Sequence, residues 1–149
     1  MPIYVDANVL LRYLLNDIPK QAEKAETILS QGAFVTSEVL AEVVFVLNGL
    51  YNMPRDEICG ILTGLVNRVR CNKPDVLKTG LSIFGKSKLD FVDCILAAHH
   101  QVQGDAIATF DKDLLKALAK IDRAATSVDE ELKTLGTKNQ EPRTRNREP

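Results

Sequence analysis

The chain has 149 residues, 45% of them hydrophobic, and a formal net charge of −1. That length supports one domain with a sizeable core, and no apolar stretch reaches the roughly 20 residues a membrane span needs. The near-neutral charge excludes a protein that holds nucleic acid by bulk positive charge alone.

Charge is unevenly distributed: residues 136–149 carry Lys138, Arg143, Arg145 and Arg147 against Glu141 and Glu148, which leaves the body more acidic than the whole. Cys59, Cys71 and Cys94 are odd in number, widely spaced and free of any Cys-x-x-Cys pair, so buried, reduced thiols are expected rather than disulfides or a zinc site. Met1 is followed almost at once by the first predicted strand, which leaves no room for a signal peptide. The expected location is therefore cytoplasmic.

Ile3 to Val5 reads as a buried parallel strand, because β-branched and aromatic residues follow one another without polar alternation. Asp6 stands at its carboxyl end, and a helix runs from there through Leu15 until Asn16-Asp17-Ile18-Pro19 breaks it. Lys20 to Ser30 forms a second helix, with Gly32 in the C′ position. Ala33 to Val35 is a second buried strand, and Thr36 or Ser37 caps an apolar helix from Glu38 to Tyr51.

Pro54 starts a helix over Arg55 to about Asn67, and Val69 to Cys71 is a third strand. Pro74 opens a helix to about Phe84, followed by the basic loop Gly85-Lys86-Ser87-Lys88. Asp90 caps a helix to Val102, which Gly104 ends. A strand over Ala106–Thr109, a helix over Asp111–Lys120, an edge strand at Ala124–Thr126 and a short helix at Val128–Leu135 complete the pattern.

Strands alternating with helices predict an α/β three-layer sandwich, with a central, mostly parallel sheet of four or five short strands flanked by helices. The expected domain spans residues 1–135, and residues 136–149 read as a disordered basic tail. No internal repeat is visible. No glycine-rich loop follows a strand, which argues against a dinucleotide or nucleoside-triphosphate site.

Four acids stand out. Asp6 and Asp111, in Thr109-Phe110-Asp111-Lys112, each read equally well as a helix N-cap or as a site residue at a sheet edge. Glu42 lies in Val39-Leu40-Ala41-Glu42-Val43-Val44, a helix apolar nearly all round and so expected to be largely buried, with no basic residue within a turn. A buried carboxylate in that position must protonate or find a cation, unless a distant salt bridge or partial exposure relieves it.

Asp93 follows Asp90 by three residues on one face of its helix. Asp90 is expected to hold the helix end and Asp93 to face a site. Four carboxylates gathered at one sheet edge could not all stay ionised unaided. An oxygen-only donor set suits Mg²⁺ or Mn²⁺ better than Zn²⁺. His99 and His100 lie about two turns beyond Asp93 and read as structural or solvent-facing.

Four segments, in order, resemble the PIN-domain family, and within it the toxin ribonucleases of the VapC type. They are Val5-Asp6-Ala7-Asn8-Val9-Leu10-Leu11, Thr36-Ser37-Glu38-Val39-Leu40-Ala41-Glu42-Val43, Asp90-Phe91-Val92-Asp93-Cys94-Ile95-Leu96-Ala97-Ala98 and Ala108-Thr109-Phe110-Asp111-Lys112-Asp113-Leu114.

The resemblance implies a catalytic quartet of Asp6, Glu42, Asp93 and Asp111, supported by Asn8 and Thr109, with Asp90 in support as the expected helix cap. It implies that Asp6, Asp93 and Asp111 ligate Mg²⁺ or Mn²⁺ and that Glu42 orients the attacking water. RNA would be hydrolysed at its phosphodiester bonds. Lys86, Lys88 and Lys112, close in sequence to Asp90 and Asp111, are candidates for steering the RNA backbone or are simply solvated. The family further implies a homodimer, a cognate antitoxin protein and no membrane association. Two competing readings are a catalytically silent partner-binding module of the same fold and a small-molecule phosphatase. The second lacks support, because position 8 is Asn and no Asp-x-Asp acceptor motif follows the first strand.

Overall fold

The computed structural model describes residues 3–139, with side chains described through residue 135. The chain divides into two compact units at the Ile107–Ala108 junction. Seven α-helices and a two-stranded parallel sheet are present among the described residues.

In the first unit, β1 (Ile3–Tyr4) pairs with β2 (Ala33–Phe34) in parallel, Ile3 opposite Ala33 and Tyr4 opposite Phe34. The Tyr4 and Phe34 rings meet at 4.9 Å, a cross-strand aromatic pair of the kind that fixes register. The expected third strand is a single parallel bridge at Arg70, whose N–H donates to Ala33 O and whose carbonyl accepts from Val35 N, both at 2.9 Å. Ile3 and Tyr4 are exposed, contrary to the buried strand expected; Ala33, Val5 and Val35 are the residues of this sheet region that enter the core. With two residues per strand, the sheet carries few side chains to either face, and the helices build the interior.

The helices follow the predicted boundaries closely up to residue 104. Helix α1 (Ala7–Leu15) ends at Asn16 in the left-handed conformation, which asparagine tolerates better than most residues. Helix α2 (Pro19–Ser30) starts with proline at its first turn, and Gly32 follows at φ 97° in the conformation expected of it. Helix α3 (Ser37–Phe45) is capped by Thr36, whose hydroxyl accepts from Val39 N, and continues as one π-helical turn over Val46–Leu50.

Helices α4 (Arg55–Arg68), α5 (Pro74–Lys86) and α6 (Phe91–Gln103) pack in series, α4 on α5 and α5 on α6. The core of this unit includes Leu10, Leu40, Leu47, Ile58, Leu62 and Leu81, all fully buried. At Gly80 helices α5 and α6 come so close that an added Cβ would lie 2.6 Å from the side-chain Cδ1 of Ile95 and 3.5 Å from its Cα. Arg68 ties α4 to the first two helices, bonding Glu26 in a close ion pair and donating to Tyr13 Oη at 2.7 Å.

Among the described residues, two strands form rather than the four or five expected. No strand is assigned at Ala106–Thr109; Ala106 and Ala108 are exposed, and the following Phe110 is fully exposed. A short run such as Ala106-Ile107-Ala108-Thr109 specifies a strand only where a sheet edge pairs with it. In the second unit, the expected helix, edge strand at Ala124–Thr126 and short terminal helix are one continuous helix, α7 (Lys112–Asn139). The reason lies in its spacing: Leu114, Leu118, Ile121, Ala125, Val128, Leu132 and Leu135 recur every three or four residues, with neither proline nor glycine before Gly136. Helix α7 includes residues 136–139 of the expected tail; the rest of that tail, 140–149, lies outside the described residues.

Candidate active site

Asp6 is the N-cap of α1: its backbone is extended and its Oδ1 accepts from Val9 N at 3.0 Å. The side chain is nonetheless exposed, so the cap uses one oxygen and leaves the carboxylate open to solvent. Asn8, two residues on, is exposed in the same first turn.

Glu42 lies on α3 between buried Leu40 and buried Val43 and Val44, but it is itself exposed, as is Phe45. The expectation of a buried Glu42 is corrected accordingly. An apolar stripe covers the inward side of α3, while Glu38, Glu42 and Phe45, three or four residues apart, follow its outer side. Exposure removes the need for a compensating charge that burial would have imposed.

Asp90 occupies the N-cap position of α6 with extended backbone, but its side chain makes no capping hydrogen bond. It therefore does not hold the helix end as expected. Asp93 lies in the first turn of α6, half-buried, where the helix dipole favours a negative charge. Behind it, Cys94 is fully buried, and burial pushes its thiol up to about 11.

The three acids of the first unit thus sit on α1, α3 and α6, and α3 packs against both α1 and α6. Lys86, in the last turn of α5, and Lys88, in the turn that follows, are exposed.

Asp111 belongs to the second unit. Its Oδ1 accepts from Leu114 N at 3.0 Å, the pattern of an N-cap for α7, while its own N–H donates to Thr109 Oγ1 at 3.0 Å. Lys112 is the first residue of that helix and is exposed.

The donor chemistry suits a hard divalent cation, since every candidate ligand is a carboxylate and those of Asp6 and Asp111 are exposed. Among the described residues, no three His, Cys, Asp or Glu side chains are gathered as a ready-made metal site. His99 and His100 both meet Asp105: the His99 Nδ1 lies 3.5 Å from its carboxylate and the His100 Nδ1 2.9 Å from its carbonyl.

Arg55 was not singled out by the sequence reading, although a cation in the first turn of a helix is unfavourable to the dipole and signals a specific partner. Its partners are the backbone carbonyls of the turn between α5 and α6.

None of the helices is long and apolar enough to cross a membrane among the described residues. No curated protein and no solved structure matches the chain significantly. The PIN domain family matches residues 3–121, well over half of the sequence and inclusive of all four candidate acids. The chain therefore belongs to the PIN domain family, of the α/β PIN fold, whose members are typically metal-dependent nucleases.

Proposed function

We propose that the protein is a metal-dependent endoribonuclease acting in the cytoplasm, the toxin of a toxin–antitoxin pair of the VapC type. The observation that carries this reading is the distribution of acids. Asp6, Glu42 and Asp93 stand on three helices packed in series in one unit, each reachable by solvent, within a PIN-family match that also takes in Asp111.

In this reading Asp6, Asp93 and Asp111 hold Mg²⁺ or Mn²⁺, and Asn8, Asp90 and Thr109 support them. The cation, when bound, acidifies a water and neutralises charge on the phosphate. Glu42 orients the attacking water. Lys86, Lys88 and Lys112 guide the RNA backbone by charge, without reading its sequence. A homodimer and a cognate antitoxin that covers the acids complete the proposal. An exposed acidic site would otherwise stay open to RNA.

In-line attack by water leaves a 5′-phosphate and a 3′-hydroxyl. Mapping the ends of RNA fragments produced by the purified protein in Mg²⁺ tests this, and products ending in a 2′,3′-cyclic phosphate contradict it.

A further inference from the structure

We infer that Arg55 is a positioning residue for the hydrolysis proposed above, on which this inference rests: its guanidinium fixes the turn between α5 and α6 and thereby sets how the first turn of α6 presents Asp93. Arg55 Nη1 donates to the carbonyls of Phe84, Ser87 and Leu89 at 3.3, 2.9 and 2.8 Å, and Nη2 reaches Lys88 O at 3.5 Å. The guanidinium carbon lies 4.1 Å from the centre of the Phe84 ring. One planar group therefore gathers Phe84, in the last turn of α5, and Ser87, Lys88 and Leu89 of the turn that follows.

The connection to α6 is direct. The Phe84 ring meets Phe91, the first residue of α6, edge-on at 5.9 Å, and both rings are buried. Leu89 is buried as well, and its N–H donates to Ser87 Oγ at 3.3 Å. Because the Asp90 side chain makes no cap bond, the entry of α6 is not held by its own N-cap. Arg55 supplies that restraint from a different helix, two residues before Asp90 through Lys88 and one through Leu89. The same turn carries Lys88 and begins at Lys86.

A lysine cannot replace this arrangement. Its ammonium is a point charge without the planar fork that spans several carbonyls and stacks on a ring.

The test uses the full chain with Arg55→Lys and Arg55→Met, followed by hydrogen exchange over residues 84–94 and by steady-state hydrolysis of RNA in Mg²⁺. The expected result is at least tenfold faster exchange confined to this segment, with α1 to α3 unchanged. The value of kcat should fall at least tenfold with KM within about twofold, and Arg55→Lys should recover neither.

Unchanged exchange in both variants overturns the inference. So does loss of folding in both, which would make Arg55 a support of the whole unit, and so does faster local exchange with unaltered kcat. If wild-type protein hydrolyses no RNA, the ribonuclease reading falls and the role in hydrolysis falls with it. Localised exchange would then still assign the turn to Arg55.

Discussion

Cys94 and Asp6 illustrate how single residues divide their work. The Cys94 thiol is buried, with the Leu89 carbonyl and the Ser87 hydroxyl as its polar neighbours, and burial raises it from 9.0 to about 11. Because the folded form favours the neutral thiol, its contribution to stability is complete below pH 9 and is lost as the pH rises through 11. Stability measured by urea unfolding should therefore decline more steeply between pH 9 and 11 in wild type than in Cys94→Ala. Identical slopes would contradict this.

Asp6 serves as cap and as candidate ligand at once, and substitution separates the two roles. Asp6→Asn should keep stability within about 0.5 kcal/mol, since asparagine caps as well as aspartate, whereas Asp6→Ala should lose about 1 kcal/mol. Both should lose hydrolysis, because neither retains the charge. Hydrolysis at the wild-type rate by Asp6→Asn would return Asp6 to a purely structural role.

The caps at Asp6 and Asp111 were legible in the sequence because an acid at the start of a helix is a local feature. Exposure of Glu42 was not legible, since it depends on which side of α3 meets its neighbours. The partners of Arg55 lie 29 to 34 residues away and leave only an indirect trace, a cation in the first turn of a helix.

At the scale of elements, α5 and α6 meet through an absent side chain. Gly80 lies 3.5 Å, by an added Cβ, from Ile95 Cα and 3.6 Å from Cys94 O, as well as against the end of the Ile95 side chain. The flexible Ile95 tip can turn aside for one methyl group, but a β-branched side chain must also displace backbone. Gly80→Val should therefore cost about 1–3 kcal/mol in thermal or chemical unfolding, as overpacked cores do. A variant as stable as wild type would mean that the two helices part without cost.

Helices α1 to α6 were readable from their caps, prolines and apolar spacing, which act within a few residues. Strands were less readable, because a strand exists only with a partner. Arg70 found one in β2, and Ala106–Thr109 formed no strand. The break expected after Lys120 failed for a different reason. Ala124-Ala125-Thr126 contains nothing that stops a helix, and the apolar spacing continues through it.

At the scale of the whole molecule, the proposed ribonuclease activity requires an acidic body to act on a polyanion. The acids are spread over three helices of one unit with Asp111 in the other, and the exposed Lys86 and Lys88 precede α6 in the chain. In the proposed reading, a divalent cation bound by the carboxylates would reconcile such a surface with RNA, because its charge would be shared between the acids and the phosphate. The PIN family match supplies the class of chemistry, and in the proposed reading Asp93, in the first turn of α6, is a ligand on which that chemistry depends.

The most direct measurement compares RNA hydrolysis by wild type and Asp93→Asn, each in Mg²⁺ and in excess chelator, with folding verified by circular dichroism. The account predicts cleavage only by wild type in Mg²⁺, with at least a hundredfold loss in the folded variant and in chelator. Cleavage that persists in chelator, or in folded Asp93→Asn, would contradict it.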